Sequence, residues 1–76
     1  MNEHIKHYKI EVWEYGTLCR ERVCKDYESA NNYFGLTKVN FEEIKKLYAV
    51  TNTGTRLLLT EVKALELILK DLNIWE

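Results

Sequence analysis

Apolar and polar positions alternate with a period of two in two parts of the chain, and with a period near 3.6 in two others. The clearest run spans Tyr48 to Asn73. It opens as Leu47-Tyr48-Ala49-Val50-Thr51-Asn52, turns at Thr53-Gly54, and returns as Thr55-Arg56-Leu57-Leu58-Leu59-Thr60. Gly54 accepts a positive φ without steric cost, as a two-residue hairpin loop requires. A Thr53-Gly54 loop sets Val50 against Leu57 and Tyr48 against Leu59. Tyr48, Val50, Leu57 and Leu59 then form a core face, and Leu47, Ala49, Thr51, Arg56 and Leu58 lie outside. A three-residue loop would put Arg56 opposite Val50 and break the apolar face, so the two-residue register is preferred.

A helical period follows. Thr60 suits an N-cap and Glu61 a first turn near the positive end of the helix dipole. Val62, Ala64, Leu65, Ile68, Leu69 and Leu72 share one side, and Trp75 extends it. This predicts a C-terminal helix from Val62 to Asn73.

The N-terminal half has a similar order. Residues 1–7 are polar and expected to fray. Tyr8, Ile10 and Val12 alternate with Lys9, Glu11 and Trp13, as in a half-buried strand. A Gly16-Thr17 turn pairs Tyr15 with Leu18, Trp13 with Arg20 and Glu11 with Arg22. The core face then holds Tyr8, Ile10, Val12 and Val23, with Cys19 at its margin. Trp13, Tyr15, Leu18, Arg20, Arg22 and Cys24 stand outside. Asp26 caps a short helix over Tyr27 to Phe34, and Gly35 serves as its C′ residue. Residues 40–46 fit either a helical turn, with an Asn40/Glu43 capping box, or the start of the next strand. Hairpin, helix, hairpin, helix has the order of an internal duplication, with Gly16-Thr17 matching Gly54-Thr55.

The expected fold is therefore α+β: a four-stranded, mainly antiparallel sheet with two helices on one face, in ββαββα order. At 76 residues it forms one domain with a small core. A hydrophobic content of 46% argues against disorder. A formal charge of −1 offers no attraction to nucleic acid or an anionic membrane. No apolar run is long enough to span a membrane. Two cysteines and no export signal point to the reducing cytoplasm.

Candidate chemistry is sparse. His4, His7, Cys19 and Cys24 lack the paired spacing of metal ligands. Ser29 is the only serine, and no phosphate loop or catalytic triad accompanies it. No enzyme activity, cofactor or metal is expected. Residues 27–46 resemble a helix-turn-helix, with Gly35 as the turn and Ala30, Phe34, Leu36, Phe41 and Ile44 as packing positions. Glu42 and Glu43 on its second helix would repel phosphate, so a DNA-binding regulator is the alternative rather than the leading reading.

The outer sheet face carries the leading expectation. Trp13, Tyr15, Leu18, Arg20, Arg22 and Leu58 have the composition of an interaction hot spot. A non-enzymatic module is expected, binding another protein or a second copy of itself through that face. In size and style the chain resembles small phage or mobile-element proteins that inhibit host machinery. That resemblance implies inhibition of a host protein such as a nuclease or defence complex.

Overall fold

The computed structural model describes residues 2–63. Its elements are β1 (Ile5–Glu14), β2 (Thr17–Cys24), α1 (Tyr27–Leu36), β3 (Glu43–Thr51) and β4 (Arg56–Lys63). The strands form one antiparallel sheet in the order β2-β1-β3-β4. The class is α+β, with ββαββ order and a single helix among the described residues. This corrects the expectation of two helices in ββαββα order. Thr60 to Lys63, read as the cap and first turn of a final helix, continue β4 instead. They pair with β3 as Thr60 with Leu47, Glu61 with Lys46, Val62 with Lys45 and Lys63 with Ile44. The sheet ladder satisfies their backbone, and β-branched Thr60 and Val62 suit it. The remainder of the expected helix, with Trp75, lies outside the described residues.

Both hairpins turn differently from expectation. Tyr15 and Gly16 both have positive φ, 49° and 78°. A turn with two positive central φ values is the I′ type, whose twist matches its strands. The loop is thus Tyr15-Gly16, and Glu14 pairs with Thr17. Trp13 then meets Leu18, Cys19 bulges out, and Val12, Ile10 and Tyr8 meet Arg20, Arg22 and Cys24. The second hairpin has the three-residue loop. Gly54, at φ 91°, donates its N–H to the Thr51 carbonyl at 3.0 Å, and Thr51 donates to Thr55 at 2.9 Å. Arg56 does stand opposite Val50. In each hairpin a left-handed glycine precedes a threonine, which gives the Gly-Thr repeat its physical basis.

These turns reverse the faces of β3 and regroup β2. Helix α1 packs on the side of Ile10, Leu47 and Ala49, which are 2%, 1% and 0% exposed. Ile10, Ala30, Phe34 and Leu47 form the core, flanked by Tyr8, Cys24 and Val62. Tyr48 and Val50, expected in the core, belong to the opposite face. Val23, also expected inside, is exposed, as is Cys19.

Asp26 caps α1 as expected, its carboxylate accepting the Ser29 N–H at 2.7 Å. The rings of Tyr27 and of Tyr8 on β1 meet edge to face, centroids 5.7 Å apart. Gly35 is not the C′ residue, because the helix continues through Leu36. The closing carbonyls are met by other groups. Thr37 donates its N–H and its hydroxyl to Tyr33, and Lys45 from β3 donates to Phe34 at 2.6 Å and Thr37 at 3.0 Å. Residues 37–46 hold no second helix, which removes the recognition element of the helix-turn-helix reading. The Asn40/Glu43 contact does form, with the Asn40 N–H on the Glu43 carboxylate at 2.7 Å, but it closes a turn into β3. Residues 3–7, in the segment expected to fray, make contacts with the β3–β4 hairpin. Ile5 and His7 pair with Thr51 and Val50, and His4 exchanges hydrogen bonds with Asn52. The Glu3 carboxylate accepts from the Thr53 and Thr55 hydroxyls.

Candidate functional site

The sheet face away from α1 is organised by Glu11. Its side chain is 2% exposed although no helix or strand among the described residues covers that face. Neighbouring side chains do the covering. The Arg56 guanidinium bridges across from β4 at 2.7 Å, Lys9 approaches at 3.5 Å, and the Trp13 indole N–H donates at 2.9 Å. Arg56 also lies over the Tyr48 ring at 4.2 Å, and Lys46 over the Trp13 ring at 5.5 Å. Lys9 spans from Glu11 to Glu21 at 3.1 Å, which relieves the like charges of Glu11 and Glu21 directly opposite each other. Burial alone would raise the Glu11 carboxyl. The Trp13 hydrogen bond, Arg56 and Lys9 outweigh it and hold the group below its ordinary value.

The expected site residues divide between two faces. Trp13, half-buried, and Leu18, directly opposite it, share the open face. Tyr15 projects from the hairpin tip and is 77% exposed. Leu58 is on the same face but at the far edge. Strand spacing and rise put it roughly 16 Å from Trp13. Arg20 and Arg22 stand on the α1 side, because the I′ turn and the Cys19 bulge shift their register. Arg22 stacks on Tyr33 at 4.2 Å, and Arg20 reaches the Lys38 carbonyl at 3.0 Å and Glu43 at 3.4 Å. Arg20 therefore does not pair with Trp13, and Arg22 does not pair with Glu11. Glu11 and Arg56 stand on this face as their spacing predicts, and Lys46 and Tyr48 join them because β3 turns the other way from expectation.

Comparison with protein-family models, with curated proteins and with solved structures returns no match to this chain.

Three other features stand apart from the Glu11 cluster. Glu14, Cys19 and Glu43 bring ligand atoms within 4.8 Å of one another. The β1–β3 ladder sets Glu14 against Glu43, a pairing that spacing along the chain does not reveal. Glu43 is already committed to Asn40 and Arg20. Lys45 is buried above the Phe34 ring, and burial pushes its ammonium down from the usual value. Its hydrogen bonds make it a helix-capping group. A cleft of about 50 Å³ between β2 and α1, lined by Ile10, Val12, Arg20, Arg22, Tyr33 and Thr37, has room for a few waters. No helix among the described residues is long and apolar enough to cross a membrane.

Proposed function

We propose that this chain is a non-enzymatic protein-binding module whose open sheet face docks a protein partner. The observation that carries the proposal is the Trp13 indole held ready by a buried carboxylate. Glu11 fixes its N–H, and Lys46 lies over the ring. A clamped aromatic surface has little rotamer freedom to lose on contact. Tyr15 supports the same reading. A non-glycine residue at positive φ is strained, and asparagine or glycine would suit this turn better. An exposed tyrosine held there, its hydroxyl hydrogen-bonded to Glu42, presents its ring to a partner at the hairpin tip. Leu18 extends the apolar surface between them.

The expected results are as follows. Trp13→Ala should weaken partner affinity by about 2 kcal/mol or more while the protein stays folded. Tyr15→Asn should raise the melting temperature and weaken binding. Affinity capture with the wild-type chain, quantified beside both variants and a Tyr33→Ala control on the other face, reads these effects. Equal capture by all folded variants would remove the open face as the site. The finer reading is a cytoplasmic, phage- or mobile-element-type inhibitor of a host nuclease or defence complex. It requires in addition that the captured protein lose activity in proportion to bound chain.

A further inference from the structure

We propose that β4 joins a second copy of this chain edge to edge, extending the sheet across a two-fold axis between Leu58 and Leu59. This is independent of the open-face reading, since a monomer could still bind through Trp13. Both sheet edges are strands, β2 and β4, and among the described residues neither outer edge is paired. An unpaired edge presents backbone donors and acceptors to any matching strand. The two edges differ in how they meet a copy of themselves.

On β2, Arg20 and Arg22 share the α1 side, and Glu21 stands on the other. Antiparallel self-pairing that keeps each face matched puts Arg20 against Arg22 of the copy, and Glu21 against Glu21. Shifting by two residues sets Arg22 against Arg22. Like charges directly opposite are destabilising, so both of these registers are disfavoured on β2.

On β4, Leu57, Leu58 and Leu59 are consecutive and 46%, 50% and 45% exposed. Proline is absent from the chain. Across the irregularity that interrupts β4 pairing, Arg56, Leu58 and Glu61 share the open face, and Leu57, Thr60 and Val62 the α1 side. Pairing Leu58 with Leu59 of the copy then matches every flanking position. Arg56 meets the copy's Glu61 on the open face, and Leu57 meets Thr60 on the α1 side. By symmetry each pair occurs twice, so opposite charges flank a leucine centre. Moving the register by two residues sets Arg56 against Lys63, which is repulsive. Arg56 lies inward over Tyr48 and against Glu11, so meeting the copy's Glu61 requires its 44%-exposed side chain to swing out to the β4 edge. The occupant is therefore a second copy, selected by charge and face together.

Light scattering and sedimentation across a wide concentration range test this. The wild-type chain is expected at twice its 9.1 kDa mass. Leu58→Lys, which puts a charge at the centre, should return it to 9.1 kDa with circular dichroism unchanged. Glu61→Arg and Arg56→Glu should each be monomeric alone and should pair with each other when mixed, because the mixture restores both opposite-charge contacts. If Arg56→Glu fails to fold because it faces Glu11, the Leu58→Lys result decides. A monomeric wild type, or a folded Leu58→Lys that remains dimeric, would overturn the proposal.

Discussion

Leu47→Ala is expected to destabilise the protein by about 2–5 kcal/mol, the range for deleting a buried leucine side chain. Leu47 is 1% exposed and touches the core formed by Ile10, Ala30 and Phe34. Helix α1 closes over it from one side, and β1 and β4 flank it in the sheet. Little can collapse into the vacated space, because Ala30 and Ala49 are already minimal and Lys45 is tied to carbonyls of the helix end. Small domains commonly have about 5–15 kcal/mol in total, so this one change should remove much of the margin. Chemical denaturation would read it as a lowered midpoint at similar slope. Val50→Ala, on the open face, should cost far less. The reverse ranking would mean that α1 covers the Tyr48 and Val50 face instead.

Glu11→Gln is the second large effect. It keeps size and a hydrogen-bonding oxygen for Trp13 but removes the charge that Arg56 and Lys9 approach. Losing one member of a buried pair can cost about 3–5 kcal/mol. Here Arg56 and Lys9 are 44% and 25% exposed, and water can recover part of that loss. We therefore expect about 1–3 kcal/mol. The same group couples stability to pH. Its carboxyl lies below the ordinary value in the folded state, so its contribution is fully present above the unfolded carboxylate range. That contribution is lost as pH falls through the lower, folded value. Wild type should therefore lose stability faster than Glu11→Gln on acidification, and the two curves should converge at low pH. Parallel curves would deny Glu11 its role.

The strands and the first helix were legible because each is a short run with a clear period. Asp26 could be placed as a cap because its side chain serves the backbone three residues on, within one local segment. Face assignment was not legible, and the cause is specific. Tyr48 and Val50 are as apolar as Leu47 and Ala49, so composition does not distinguish the sides of β3. The choice fell to the loops. Tyr15 at positive φ is an uncommon occupant of an I′ turn, and the Gly16-Thr17 alternative looked chemically better. At the second hairpin the sequence disfavours the three-residue loop because Arg56 then faces Val50. Arg56 is accommodated there by Glu11 and Tyr48, contacts between strands that no local pattern exposes. The same long-range pairing turned Thr60 to Lys63 into strand. Of the expected site, Trp13 and Leu18 stayed together because both lie on the turn side of the Cys19 bulge. Arg20 and Arg22 lie beyond it and changed sides.

The central claim is that α1 covers the Leu47 face while the Glu11, Trp13 and Tyr48 face meets solvent. Thiol reactivity tests it most directly. In a background with Cys19→Ser and Cys24→Ser, Leu47→Cys and Tyr48→Cys place single thiols on adjacent residues of one strand. Their rates with a small, water-soluble thiol reagent report which side is covered. Slow reaction, limited by unfolding, is expected for Leu47→Cys and rapid reaction for Tyr48→Cys. A protected Tyr48→Cys thiol beside a reactive Leu47→Cys thiol would contradict the account.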